Sequence, residues 1–364
     1  MGLALLFATD APRIAGSEIW LAEVLPRLVE LGNEIYVALP NTDGLNKLAL
    51  HFQEKHVQVI RYSGNSELAN IDIHVDIRIL QAWSPVTYKV LNYWPNPRWI
   101  FTHDQIIYHY PLGLKHLYEA IFRLTKVRSM KLSDGVLTCS MWAANYFKEK
   151  YRLNAIGIPN GIDINKFRPP NEDERQRLRR EFGFTRFTWL MPARYSMEKN
   201  HITALLTAKM VPEADFVFVG SGNLRVYLEY FAKSFGVSNA RFLPFVSEMN
   251  LLYRAADGLF FPTLAENQSL TTLEAMASGL PIVTSNIPAQ KELIKQGREG
   301  LTVPPVPKKL STAIKVVQHD RHLAQKMGSK AREKIVRDHD IRKTTANLSR
   351  ALEWIANVGG KGLR

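Results

Sequence analysis

Short apolar runs alternate along this chain with longer segments in which apolar residues recur every three or four positions. The runs Leu3 to Thr9, Glu34 to Leu39, Val57 to Tyr62, Ile71 to Gln81, Trp99 to His103, Gly135 to Thr138 and Ala155 to Ile158 read as buried strands. A helix-period segment from Ser17 to about Leu31 follows the first of them. That rhythm predicts an α/β fold of parallel strands joined by helices. A cluster at Pro159-Asn160-Gly161 and a charged stretch from Pro169 to Arg180 interrupt it. It restarts with Phe187 to Met191, Asp215 to Val219, Arg241 to Leu243, Gly258 to Phe261, Ile282 to Thr284 and Gly300 to Val303. Two similar α/β domains are therefore expected, over residues 1–165 and 166–340. Residues 307–357 read as successive helices without a strand, and the last, about 341–357, is expected to cross back to the first domain. Open parallel sheets bind ligands at the carboxyl ends of their strands, so two such domains facing across a cleft should carry their chemistry in the turns after strands.

Composition sets limits on this picture without changing it. With 364 residues, 46% of them hydrophobic, the chain can bury two full cores. The single cysteine, Cys139, cannot form an internal disulfide, which favours a reducing compartment and a cytoplasmic location. The apolar run Leu3 to Ala8 stops at Asp10, too short for a secretory core, and no run approaches the roughly 18 apolar residues of a membrane span. The net charge of +13 is uneven: residues 1–165 hold 16 Lys or Arg against 15 Asp or Glu, and the remainder holds 31 against 19. Such a surplus suits anionic nucleotides, anionic lipid headgroups or nucleic acid, and net charge alone does not choose among them. Solvated helix faces would account for much of it.

Five motifs lie after predicted strands. Ala15-Gly16-Ser17-Glu18 precedes a helix, where Gly16 would let backbone amides approach a phosphate or sugar; an ordinary turn capped by Ser17 is the plain alternative. In Thr102-His103-Asp104, His103 stands at a strand end and could hydrogen-bond a hydroxyl, unless it is a core histidine satisfied by a carbonyl. Pro192 to Asn200 carries Arg194 and Lys199, two cations able to neutralise a leaving diphosphate, with a surface ion pair to Glu198 as the alternative. Gly220-Ser221-Gly222 repeats the strand, glycine turn, helix order, and Gly220 and Gly222 could help hold the donor's phosphates or simply make the turn. Last, Glu266-Asn267-Gln268-Ser269-Leu270-Thr271-Thr272-Leu273-Glu274 places two carboxylates either side of an expected helix start. Free amides there would receive a phosphate, while Glu266 and Glu274 accept hydrogen bonds from sugar hydroxyls.

Taken in order, the Gly16 loop, His103, Pro159-Asn160-Gly161-Ile162-Asp163, Arg194 with Lys199, Gly220-Ser221-Gly222 and Glu266 to Glu274 with its Ala-Met-Ala-Ser-Gly-Leu-Pro tail resemble the family-four retaining glycosyltransferases. The resemblance covers nearly the whole chain and implies a GT-B fold, two Rossmann-like domains facing across a cleft. It implies that Arg194 and Lys199 bind the donor diphosphate, that Glu274 holds the ribose, that Glu266 contacts the donor sugar, and that His103 sits beside the reacting centre. Gly16 would then approach the donor from the first domain as the cleft closes. Asn267, Gln268, Ser269 and Leu270 complete the implied donor-binding stretch. Asn267 and Gln268 replace the glycine and the aromatic or leucine usual after the first glutamate, and Pro244 stands where a glycine is common near the base. Donor sugar and base are therefore left open.

The resemblance also implies no metal or other cofactor, because fixed cations and helix dipoles stabilise the departing diphosphate. Asp338-His339-Asp340 reads as a helix junction. For the acceptor, Leu112 to Lys131 interleaves Lys115, Arg123, Lys126, Arg128 and Lys131 with Leu114, Leu117, Tyr118, Ile121, Phe122 and Leu124. That face suits an anionic membrane and a lipid-linked or glycan acceptor, with peripheral attachment at the inner membrane face; core packing is its plain alternative. The expected activity is hexose transfer from a nucleoside diphosphate sugar to an acceptor hydroxyl, with no nucleic-acid partner. A sugar-nucleotide epimerase or hydrolase, or a non-catalytic basic binder of membrane or nucleic acid, are the competing readings.

Overall fold

The computed structural model describes residues 2–110 and 113–359. They form two compact units: one comprises the chain up to Asp104, His116–Gly161 and the chain from Ile341, the other Gln105–Lys115 and Ile162–Asp340. The strands, in chain order, are β1 (Ala4–Thr9), β2 (Glu34–Pro40), β3 (Gln58–Tyr62), β4 (Ile77–Gln81), β5 (Arg98–Thr102), β6 (Ile106–Ile107), β7 (Gly135–Thr138), β8 (Ala155–Gly157), β9 (Thr188–Pro192), β10 (Asp215–Val219), β11 (Ala240–Leu243), β12 (Gly258–Phe261), β13 (Ala265–Glu266), β14 (Ile282–Ser285) and β15 (Gly300–Val303).

The first unit is a parallel sheet in the order β3-β2-β1-β4-β5-β7-β8. Its strands are apolar on both faces, as parallel strands covered on each side by helices must be. Phe7, Val37, Ile79 and Phe101 are buried from the sheet, and Trp20, Val24 and Leu28 from the helix Gly16–Glu30. One strand is shorter than the apolar run suggested. Residues 71–76 lie outside β4, because Asp76 turns its carboxylate onto the Ala4 amide at 2.8 Å and Arg78 reaches back to the Ile73 carbonyl at 2.8 Å. These side-chain bonds hold the entry to the strand in a bend that a ladder does not permit.

The second unit is a parallel sheet in the order β11-β10-β9-β12-β14-β15, with a separate antiparallel pair of β13 and β6. Its core runs through Trp189, Met191, Phe216, Phe218 and Phe260. The chain leaves the first unit at Gly161 and returns to it at Ile341. A methyl group on Gly161 would stand 2.6 Å from the Ile341 Cα, so the two connections need glycine to run side by side within the first unit. After the helices Pro307–His319 and Arg321–Asp338, the helix Ile341–Gly359 packs beside Gly16–Glu30. Ile341, Leu348, Leu352 and Ile355 line its buried face at helical spacing. Asp338, His339 and Asp340 fall at the junction of the last two helices, where Asp338 pairs with Arg337 at 2.7 Å.

No helix among the described residues is long and apolar enough to cross a membrane. The basic, apolar stretch after Gly113 is helical from Leu114 to Met130, with a π-helical segment at Arg123–Val127. Leu114, Leu117, Tyr118, Ile121 and Leu124 are exposed, whereas Phe122 and Lys126 are buried. Lys126 is a structural cation: its Nζ donates to the Ala82 carbonyl at 3.1 Å and pairs with Asp104 at 3.2 Å. Leu112 lies outside the described residues.

Candidate functional site

In the second unit the candidate residues gather at the carboxyl ends of β9, β10 and β12. The β9–β10 ladder continues past the strands, with the Ala193 amide bonded to the Val219 carbonyl and the Tyr195 amide to the Ser221 carbonyl, both at 2.9 Å. Gly220 and Gly222 make that approach feasible. Gly220 has φ +155 and a Cβ there would lie 2.0 Å from the Ala193 oxygen; at Gly222 it would lie 2.7 Å from the Tyr195 oxygen. The glycine turn therefore sets the loop that carries Arg194.

Arg194 is exposed and its Nη2 lies 3.3 Å from Glu198, which also accepts from Ser196 Oγ at 2.6 Å. Lys199 has a different fate. Its ammonium is buried and forms an ion pair with the buried Glu266 carboxylate at 2.5 Å, and Thr263 Oγ1 lies 3.2 Å from the same oxygen. The backbone holds this pair in place: the Glu198 carbonyl accepts from the Leu264 amide at 2.8 Å, and Asn200 Nδ2 donates to the Pro262 carbonyl at 3.0 Å. Lys199 and Glu266, to which the resemblance gives different parts of a donor, thus stabilise each other.

The helix expected between the two glutamates runs Leu270–Ala277, with Ser269 as its N-cap accepting from the Thr272 amide. Asn267, Gln268 and Ser269 are buried before it, and Leu270 is partly buried. Thr271 Oγ1 donates to the Pro192 carbonyl at 3.3 Å, tying the helix start to the end of β9 just before Arg194. Glu274 lies one turn inside. Part of its surface is open, but burial of its carboxyl group raises the pKa from 4.5 to about 7, against the opposing pull of the Tyr253 hydroxyl, which donates at 2.9 Å, and of the Lys166 charge. Tyr253 is the residue that sequence reasoning missed. It lies on the helix Met249–Ala255, outside every strand-end turn, and carries no local signal.

In the first unit, Gly16 opens the helix whose Trp20 packs against Phe101 and His103, with ring centroids 4.3 Å and 5.2 Å away. Ala15, not Ser17, is the N-cap, and Glu18 reaches back to the Ala15 amide at 3.2 Å. The fully buried Glu18 carboxylate also accepts from Ser17, Thr9 and Gln81, and its pKa is raised by burial. His103 follows β5. Burial takes its pKa from 6.5 to about 3, and its Nε2 has no hydrogen-bond partner among the described residues. A neutral imidazole with one unused nitrogen can exchange a hydrogen bond with a hydroxyl but cannot supply a fixed positive charge.

Residues 174–334 match the model of the family described as glycosyl transferases group 1. A UDP-Gal:alpha-D-GlcNAc-diphosphoundecaprenol alpha-1,3-galactosyltransferase of Escherichia coli is 30% identical over 158 residues, 40% of this chain and 40% of that one. An alpha-monoglucosyldiacylglycerol synthase of Streptococcus pneumoniae is 30% identical over 180 residues, 46% of this chain and 41% of that one. The chain spans about half the length of the curated relatives it matches. Among solved structures, Anabaena HepE in complex with UDP and glucose matches with a TM-score of 0.81 at 20% identity, covering 96% of this chain and 99% of that one. The sucrose-phosphate synthase of Thermosynechococcus elongatus gives 0.81 at 16% identity, covering 98% and 100%. At these identities the likeness is one of fold, the two parallel sheets of the GT-B architecture.

Proposed function

Residues 174–334 match the model of the group 1 glycosyl transferases, and on that premise we propose that the protein is a retaining glycosyltransferase. It moves a hexose from a nucleoside diphosphate sugar to an acceptor hydroxyl. The observation that carries the reading is the buried Lys199–Glu266 pair, placed with Arg194 and the first turn of the helix Leu270–Ala277 at neighbouring strand ends. A donor diphosphate brings the charge that Arg194 and Lys199 can share. As the glycosidic bond breaks, charge grows on the leaving phosphate, where cations held in a low dielectric act most strongly. Glu266 then turns from Lys199 to a hydroxyl of the donor sugar, and Glu274 accepts from the ribose. His103 is assigned to a hydrogen bond with a hydroxyl near the reacting carbon. Retention rests on the resemblance to the family-four enzymes.

With this cation set no metal is required, and transfer is expected to survive a chelator. UDP is the first nucleotide to test, because the Anabaena HepE structures hold UDP, glucose or UDP-glucose. The acceptor is read as a glycan or a lipid-linked sugar. Both E. coli and S. pneumoniae relatives are named for lipid substrates, and the exposed row Leu117, Ile121 and Leu124, flanked by Arg123, Arg128 and Lys131, suits peripheral contact with an anionic membrane. The deciding experiment is a thermal-shift series with UDP, GDP, ADP and their sugars, where a ligand at a hundred times its Kd stabilises by about 2.7 kcal/mol. A melting point that none of them moves would defeat the donor-site assignment. Rapid consumption of a donor sugar without acceptor would favour the hydrolase or epimerase reading instead.

A further inference from the structure

The segment Gln105–Lys115 has no part in the reading above, yet it belongs to the second unit while the residues on either side belong to the first. Its strand β6 pairs antiparallel with β13, Ile106 opposite Glu266 and Ile107 opposite Ala265. The amides of Tyr108 and His109 both donate to the Leu264 carbonyl at 3.2 Å. A short ladder thus fixes Tyr108 and His109 beside the strand that bears Glu266. His109 Nε2 lies 3.3 Å from Asn286 Oδ1. A side-chain carbonyl oxygen only accepts, so Nε2 carries the proton and Nδ1 keeps its lone pair.

Two cations attend this ring. Lys115 Nζ stands 4.9 Å from the centre of the Tyr108 ring, which meets the His109 ring edge-on at 5.0 Å. Lys291, on the helix Pro288–Leu293 that follows Asn286, is the second. After burial, both lysines push the His109 pKa below 6.5, and among the described residues the Asn286 bond alone opposes them. Neither lysine has a carboxylate partner among the described residues. Two cations that both act on one neutral ring offer an arriving anion charges of the opposite sign.

We propose that His109, Lys115 and Lys291 form a subsite for a phosphate group carried by the acceptor. The inference rests on the transferase reading, which assigns the donor's own diphosphate to Arg194 and Lys199 and leaves this second cationic group, at the segment that continues from the strand paired with β13, for the other substrate. A phosphate monoester carries about −1.5 to −2 charges near neutral pH, which two ammoniums balance. Its approach also favours protonation of His109 Nδ1, which adds a third donor. The phosphate has two possible sources, a phosphorylated lipid anchor or a soluble sugar phosphate.

The test is NMR of the full chain carrying isotope-labelled histidine, with the His109 signal identified by its loss in His109→Gln. Methyl phosphate is titrated into the protein with and without UDP. The expected result is a saturable movement of the His109 signal and a rise in its pKa. In a Lys115→Gln/Lys291→Gln variant with the parent's melting point, the affinity should fall by at least about tenfold while the response to UDP is retained. A His109 signal that stays still, or moves equally in the variant, overturns the proposal. If UDP fails to bind the parent, the donor reading falls separately, because the methyl phosphate titration needs no donor. Dodecyl phosphate and glucose 1-phosphate are then compared: tighter binding of the first assigns a lipid-borne phosphate, of the second a sugar phosphate, and binding of neither overturns the subsite.

Discussion

Replacing Glu274 by Gln should stabilise the protein in alkaline solution and leave it unchanged in acid, an unusual direction for a buried polar residue. Burial raises the Glu274 pKa from 4.5 to about 7. Below the lower value the carboxyl is protonated in both folded and unfolded chains and has no pH-dependent effect. Between the two values the unfolded chain ionises first, so its stability gain is lost to the folded state step by step as pH rises. Above about 7 both are ionised and the full penalty stands. At about 1.4 kcal/mol for each pKa unit, the interval from 4.5 to about 7 is worth roughly 3 kcal/mol. Glutamine keeps the shape and still accepts from the Tyr253 hydroxyl, so it removes the ionisation cost with little else. The assay is urea unfolding of parent and variant at about pH 4 and about pH 8, taking the difference of differences so that any pH-independent effect cancels. A variant whose advantage does not grow by about 2 to 3 kcal/mol across that range would refute the claim that Glu274 sits in a low-dielectric site.

Three further outcomes follow from the same geometry. Lys199→Met should destabilise by about 3 to 5 kcal/mol, because it strands the buried Glu266 carboxylate, and Lys199→Met/Glu266→Gln should recover most of that loss while remaining inactive; urea midpoints and transfer rates check both halves. Gly220→Ala, whose methyl would meet the Ala193 oxygen at 2.0 Å, should weaken UDP binding by displacing the Arg194 loop, whereas Gly236→Ala, with no atom within 4 Å, should cost only about 1 to 2 kcal/mol of left-handed strain and leave UDP binding intact. Calorimetric titration of both variants decides this. Because His103 titrates near 3 and Glu274 near 7, kcat/KM should rise with pH through an inflection close to neutrality, and Glu274→Gln should abolish that inflection while His103→Gln preserves it in whatever activity remains.

Much of the fold was legible because burial on both faces of a parallel strand leaves a continuous apolar run, and such runs as Asp215 to Val219 or Gly258 to Phe261 admit few other readings. The helix start between Glu266 and Glu274 was equally legible, since Ser269 is a strong N-cap ahead of an apolar-periodic segment. What stayed hidden was non-local. Strands β6 and β13 are two residues each, too short for any periodicity, and are defined only by finding each other across the sequence. The same applies to the Lys199–Glu266 pair and to Tyr253 on Glu274, which join residues far apart in the chain. The run from Ile71 erred for a further reason: apolar composition cannot reveal that Asp76 and Arg78 spend their polar groups on bending the backbone.

The two acids of the candidate donor site are held by opposite means, and the contrast bears on what they do. Glu266 keeps a partner: Lys199 balances its charge, and in the proposed reading the pair is a reserve of charge that a diphosphate and a sugar hydroxyl would divide between them. Among the described residues Glu274 receives one neutral donor, Tyr253, and the pull of the Lys166 charge, and desolvation outweighs both. A core selected for stability alone would hold neither, since apolar residues of similar volume serve as well or better than a buried ion pair. A strongly perturbed acid such as Glu274 marks a place where stability is traded for recognition. For Glu274 the missing interactions are hydrogen bonds that would stabilise its ionised form, and two vicinal hydroxyls supply that number and geometry. Binding should then draw its pKa down toward the ordinary carboxylate range, releasing a proton near neutral pH, so calorimetry of UDP binding in buffers of different ionisation heat should show proton release that Glu274→Gln eliminates.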